Sequence, residues 1–195
     1  FVFDRENNPI FCGVGVDEIV GGFQAAHHLL GRGHRRLAFV GGPDLLTQVR
    51  DRRRGVDLAL EGSAAECQTL ATDALDVAAG RQVAEALAAL PASARPTGVV
   101  AANDLLAIGL LQGLVSAGLR VPDDVALVGY DDIEFAAAAA VPLSSIRQPR
   151  RSLGLTAASL LFEEMAAVEG RRPHRHQIVK LAPELVARQS SDRRV

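Results

Sequence analysis

The stretch 125-VALVGYDDIEF-135 starts like the middle of a protein and ends like its surface. Val125, Ala126, Leu127 and Val128 form an unbroken apolar run, the pattern of a strand buried on both faces. Gly129 and Tyr130 follow, and then two adjacent carboxylates, Asp131 and Asp132. Carboxylates are almost never buried without a partner. A buried strand that ends in two of them therefore delivers charge to the rim of a sheet, and the fold turns on whether other strands do the same.

They do. "TGVVAAND" is a short apolar strand that ends at Asn103–Asp104, and "RRLAFVGG" is another, Leu37 to Val40, that ends at Gly41–Gly42–Pro43. The loop beyond it leads toward Arg50 and Arg52. The opening "FVF" ends at Asp4–Arg5. A weaker strand spans Cys67 to Ala71. Helical spacing separates these strands. Val20, Phe23, Ala26 and Leu30 mark a helix that Asp17 can cap and that Gly31 and Gly33 can end. Val56, Ala59 and Leu60 mark a second helix, stopping at Gly62. Val83, Leu87 and Leu90 mark a third, ended by Pro91, and Leu111, Leu114 and Val115 a fourth. Strands that alternate with helices over short links predict a parallel sheet covered on both faces, doubly wound.

After Asp132 the rhythm breaks. Five alanines, Ala136 to Ala140, lead through a loop to Pro142 and "SSIRQP". A helix is expected from about Ser152 to Glu169, ended by Gly170, and "HQIVKLAPELVAR" supplies one more strand. Ile146–Pro149 and the region near His174–His176 are candidate crossings between two lobes.

Composition narrows the function. The 195 residues are 48% hydrophobic and 23% charged, enough apolar material for a real core. The net charge of -2 and the lack of a long Lys/Arg block argue against general polyanion binding. Two cysteines far apart, Cys12 and Cys67, give neither a disulfide framework nor a metal-ligand spacing, and they fit a reducing cytoplasm. No apolar run is long enough to span a membrane. The chain begins at Phe1, and its only methionine is Met165, so a fragment of a longer protein is expected.

Enzyme motifs are weak. "GGP" lacks the further glycines and the Lys-Ser/Thr pair of a phosphate loop. His27 and His28 are adjacent on a helix and point apart, which argues against a metal site with His34. "HRH", His174 to His176, reads as an exposed turn. Ser144–Ser145 show no partner base. The expectation is no catalytic residue, no metal and no cofactor. At the strand ends two readings stay open. Asp104 can cap the next helix or face a cleft, and Asn103 and Asp131 can shape a turn or contact a ligand.

Together "VDEIVGGFQAAHHLLGRGHRRLAFVGGP", "AANDLLAIGLLQGLVSAGLRVPDDVALVGYDD", "PLSSIRQPRRSLGLTAASLL" and "LAPELVARQSS" resemble the effector-binding core of the lactose-repressor (LacI/GalR) family of transcriptional regulators. The resemblance implies a type I periplasmic-binding-protein-like α/β core of two doubly wound parallel-sheet lobes, the first incomplete here. Residues 1–16 and 149–176 would be parts of the N-terminal lobe, and 17–147 and 177–195 the C-terminal lobe. It also implies a cytoplasmic homodimer and a small-molecule effector between the lobes. Operator DNA would be bound through a headpiece absent from this chain.

The family's effector contacts would fall on Asp4, Arg52, Leu75, Asn103 and Asp131. Leu75 stands where some members stack an aromatic ring on the ligand. Glu18 stands where Asn is more usual, a change expected to touch only the local cap. The polar set carries little net charge and suits a neutral polyhydroxylated ligand, a sugar, better than a phosphate. Asp131 is expected to meet the ligand and Asp132 to be structural. Removal of Arg52, Asn103 or Asp131 is expected to weaken binding and leave folding intact. The alternative on the same fold is a periplasmic sugar-binding protein of a transport system.

Overall fold

The computed structural model describes residues 11–43, 45–170 and 172–192. In chain order the elements are β1 (Gly13–Val16), α1 (Glu18–Gly31), β2 (Arg36–Gly41), α2 (Thr47–Leu60), β3 (Glu66–Ala71), α3 (Val77–Ala89), β4 (Gly98–Ala101) and α4 (Asp104–Ser116). There follow β5 (Ala126–Asp131), α5 (Glu134–Ala137), β6 (Ser144–Arg147), α6 (Arg150–Glu169), β7 (Ile178–Leu181), β8 (Glu184–Val186) and a 3-10 turn, Gln189–Ser191. The chain divides into two compact units. The smaller holds the described residues up to Asp17 together with Gln148–Pro183, and the larger holds Glu18–Arg147 with the described residues from Glu184 onward.

The larger unit is built on a six-stranded sheet in the order β3-β2-β4-β5-β6-β8. All neighbours are parallel except β6 and β8. β4 is buried along its whole length, and β2 and β5 in all but one residue each. Strands sealed in this way need helices on both faces. α1 packs on α2 and α3 on α4, and these pairs supply the cover.

The smaller unit contains β1 paired in parallel with β7, Gly13 opposite Ile178 and Val16 opposite Leu181, with α6 packed on both. Sequence spacing puts a crossing near His174–His176. β7 stays with β1, so the chain leaves this unit only after Pro183. Pro183 also splits the single strand expected over "HQIVKLAPELVAR" into β7 and β8, because proline cannot donate to a ladder. Two strands were not legible at all. β1 is glycine-rich, and β6 is polar, with its two serines buried. The "FVF" strand lies outside the described residues.

The sequence spacing also chose the wrong stripe on α1. Phe23 is 38% exposed and stacks on His27, while Gly21, Gly22, Ala25, Ala26 and Leu29 face inward. Likewise Val115 of α4 is half exposed while Leu111 and Leu114 are buried. On α1 the buried stripe is small because α2 comes very close. A Cβ added at Gly22 would lie 2.0 Å from the Arg52 carbonyl, and one at Gly55 would lie 2.0 Å from the Ile19 carbonyl. Glycine on both helices lets the backbones touch.

Gly55→Ala therefore has no room without parting α1 from α2. Overpacking of this kind costs roughly 1–3 kcal/mol. Urea unfolding of the intact protein should show that loss, while Gly62→Ala, at a site with nothing within 4 Å but a φ of +72°, should show only a turn-strain penalty.

Candidate functional site

The close approach of α1 and α2 sets Arg52 against Glu18. Beyond the loop that leads to it, Arg52 lies inside α2, and it is 7% exposed. Its Nε donates to Glu18 Oε2 at 2.8 Å and its Nη2 to Glu18 Oε1 at 3.1 Å, a two-point fork. Its Nη1 donates to the Ala102 carbonyl, at the end of β4, at 2.6 Å. The guanidinium lies 3.6 Å from the centre of the Tyr130 ring. Burial opposes the charge on Arg52, but the Glu18 carboxylate outweighs it and raises the guanidinium above its ordinary value. Burial, with Glu18 beside it, also raises the Tyr130 phenol, so the cation stacks on a neutral ring. Glu18 thus does far more than adjust a cap. It is half of a buried ion pair that the sequence reading did not foresee.

Asp131 ends β5 next to this pair, its Oδ1 3.9 Å from Arg52 Nη2 and its side chain 32% exposed. The backbone here is unusual. Asp131 has φ 103° and Asp132 φ 50°, both left-handed. Each such residue costs of order 1–3 kcal/mol and persists only where its surroundings hold it. The surroundings are explicit. The Asp132 amide donates to Ser145 Oγ at 3.0 Å, and the Ile133 amide to Asp104 Oδ2 at 2.8 Å. The Asp132 carboxylate pairs with Arg147 and with Arg188, each at 2.7 Å. Burial works against that charge, but the two arginines prevail and hold the carboxyl below its usual range. These bonds make Asp132 an anchor of the turn.

The structure gives Asn103 and Asp104 distinct hydrogen-bond roles. Asn103, not Asp104, caps α4. Its Oδ1 accepts from the Leu106 amide at 2.9 Å, and its Nδ2 donates to the Leu75 carbonyl at 2.9 Å. That bond ties the loop carrying Leu75, which is partly buried against the core, to the end of β4. Asp104 is fully buried beneath the rim. It accepts from Ser145 Oγ at 2.7 Å and from the Ile133 amide. A Cβ at Gly129 would lie 2.2 Å from its Oδ1, so only glycine fits there.

Of the five expected contacts, the structure brings Arg52, Asn103, Asp131 and the Leu75 loop to one set of strand ends. Asp4 lies outside the described residues. Glu18 and Tyr130 were missed as parts of this arrangement, and Asp104 was placed at the rim without its bond to Ser145. The signal for Glu18 was an acid on the helix that opposes a buried arginine. Ser145 does face a carboxylate, but as a support for the turn. His28 on α1 and His34 beyond it separate, His28 to Ser191 at 2.8 Å and His34 to Thr97 at 3.1 Å.

Three comparisons bear on this arrangement. The chain belongs to the periplasmic binding protein-like domain family, which matches residues 26–191. The HTH-type transcriptional repressor PurR of Aliivibrio fischeri (strain MJ11) is 29% identical over 172 residues, 87% of this chain and 50% of that protein. The arabinose metabolism transcriptional repressor of Geobacillus stearothermophilus is 36% identical over 182 residues, 91% of this chain and 49% of that protein. A LacI family transcriptional regulator from Enterococcus faecalis V583, solved with bound ribose, superposes with a TM-score of 0.81 at 28% identity, covering 92% of this chain and 62% of that one. Within the periplasmic-binding-protein-like class, the chain is similar to regulators of the lactose-repressor (LacI) family. It spans about half the length of the curated relatives it matches. Those relatives are transcriptional repressors.

Burial raises the Asp104 carboxyl from 3.8 to about 6, although the Ser145 hydroxyl and the Ile133 amide favour its charged form. The folded state thus holds this proton more tightly than the unfolded chain. The stability it contributes is complete below about pH 4 and is lost as pH rises through about 6. Urea unfolding across that range should show wild type losing up to roughly 3 kcal/mol that Asp104→Asn does not lose. A difference between the two proteins that stays constant with pH would sink this assignment.

Proposed function

We propose that this chain is the effector-sensing and dimerisation core of a ligand-responsive transcriptional regulator, and that the effector is a small polyhydroxylated molecule, a sugar. One observation carries the ligand class. Arg52 Nη2 and Asp131 Oδ1 lie side by side, 3.9 Å apart, at the strand ends. Three of the five Arg52 N–H groups serve Glu18 and Ala102, which leaves one on Nη1 and one on Nη2. Neighbouring hydroxyls on a ligand can then accept from the guanidinium and donate to the carboxylate. Two carboxylates, Glu18 and Asp131, face this one guanidinium. A phosphate would meet repulsion here, and a neutral polyol would not.

Four further proposals accompany this reading. The smaller unit belongs to the N-terminal lobe of such a core and the larger unit to the C-terminal lobe. Operator DNA is bound through a headpiece N-terminal to these residues. The protein works in the cytoplasm, with no enzymatic activity. It acts as a homodimer, because two headpieces read paired half-sites. Leu105 of α4 and Phe135 of α5, both exposed on the larger unit, give a second copy apolar surface to cover. Light scattering of the full-length protein at micromolar concentration should give twice the chain mass, and a monomer with full operator affinity would count against the assignment.

The ligand reading is tested by a thermal-shift screen of the full-length protein against sugars, followed by calorimetry on variants. Asp131→Ala should lose one charged hydrogen bond, roughly 1.5–3 kcal/mol, or about tenfold to 150-fold in affinity. Asp132→Ala should change affinity less and melting temperature more. The structure revises the expectation that Arg52 and Asn103 are dispensable for folding. Arg52→Ala strands the buried Glu18 carboxylate, at roughly 3–5 kcal/mol, and Asn103→Ala removes a helix cap, at about 1 kcal/mol. Normal binding by Asp131→Ala, with binding abolished in Asp132→Ala, would overturn this assignment of roles.

A further inference from the structure

The smaller unit gathers a second set of polar groups, unrelated to the strand-end rim. Cys12 directly precedes β1. His174 and His176 precede β7, and Glu164 lies on α6. β1 and β7 run in register, with the Gly13 amide donating to the Gln177 carbonyl at 2.9 Å, so Cys12 is brought level with the residues that lead into β7. His174 and His176 are two apart in non-helical chain, a spacing that puts both rings on one side of an extended segment. Their rings meet edge to face with centroids 5.1 Å apart. α6 packs on β1 and β7 and brings Glu164 to the same place.

The ligand atoms converge. Cys12 Sγ is 3.0 Å from His174 Nε2 and 3.9 Å from His176 Nδ1. Glu164 Oε1 is 3.8 Å from His176 Nδ1. One atom from each of the four residues lies within 4.8 Å of every other, and all four residues are partly buried. In a tetrahedral zinc centre, with bonds of about 2.3 Å to sulfur and about 2.0 Å to nitrogen or oxygen, ligand atoms stand roughly 3.3–3.7 Å apart. The observed spacings bracket that value.

We infer that Cys12, Glu164, His174 and His176 form a binding site for Zn²⁺ in the smaller unit. The donor set is one sulfur, two imidazole nitrogens and one carboxylate oxygen. That mixture suits a borderline-soft ion and does not suit calcium or magnesium, which take oxygen ligands. Four protein ligands fill a tetrahedron and leave no open position, so the centre is structural. On binding, the Cys12 thiol gives its proton to solvent as the sulfur–zinc bond forms. The ion would tie together the entry to β1, the body of α6 and the entry to β7.

The test uses the full-length protein, reduced and stripped of metal. Cobalt(II) should bind at one equivalent per chain and give a thiolate-to-cobalt charge-transfer band with the visible bands of a tetrahedral centre, and Zn²⁺ should displace it. Cys12→Ser should abolish the charge-transfer band, and Cys67→Ser should keep it. His174→Gln and His176→Gln should each weaken zinc binding by more than the roughly 10–100-fold that follows loss of a group supporting a ligand. Zinc should raise the melting temperature of wild type and of Cys67→Ser but not of the ligand variants. All variants should melt as wild type does in chelator. The absence of any charge-transfer band in wild type, or a band that survives Cys12→Ser, overturns the site.

Discussion

The buried pair between Arg52 and Glu18 organises the larger unit. A guanidinium that is 7% exposed is tolerable only if its hydrogen bonds are satisfied, and here a carboxylate, a strand-end carbonyl and an aromatic face share that task. Each partner comes from a different element. Glu18 opens α1, Ala102 follows β4 and Tyr130 belongs to β5. For Arg52 to reach all three, α1 and α2 must lie backbone against backbone, which explains the glycines at positions 22 and 55. The same contact sets the guanidinium beside Asp131, whose Oδ1 lies 3.9 Å from Arg52 Nη2.

The alternation of strand and helix was legible because both faces of the sheet are covered. Strands such as Leu37–Val40 and Val125–Val128 are continuous apolar runs that no surface element would carry. What escaped reading did so for physical reasons. β6 carries buried serines whose hydroxyls bond to Asp104 and to the backbone of Arg188, so its burial rests on hydrogen bonds that no hydropathy pattern reveals. The α1 stripe was misread because glycine and alanine pack there, and a search for large apolar residues finds Phe23 instead. The alanine run conceals a short helix, α5, whose only buried residue is Ala136.

The candidate site divides in the same way. Asp131 and Arg52 were legible from the residue types that follow the strands, together with the family resemblance. The partners that immobilise them were not, since Glu18, Tyr130 and Asp104 meet them only through tertiary contact. The cysteine and histidines of the smaller unit show this most clearly. Cys12 and His174 stand 162 positions apart, and no spacing rule joins them until β1 and β7 pair. Asn103 shows a further limit of the sequence. Its role was posed as turn or ligand contact, whereas a single side chain caps a helix and fastens a loop at once.

The strained turn at Asp131–Asp132 has a consequence for genetics. Its geometry is enforced from below, by a buried carboxylate, a serine hydroxyl and two arginines, none of which needs to touch an effector. Under the effector role proposed for Asp131, a mutant hunt for proteins deaf to the signal would return substitutions at Gly129, Asp104, Ser145, Arg147 and Arg188 alongside those at Asp131. The two groups would share a phenotype and differ in remedy. Second-site suppressors that make the fold more robust should rescue the lower layer, and they should leave Asp131 mutants unresponsive at any stability.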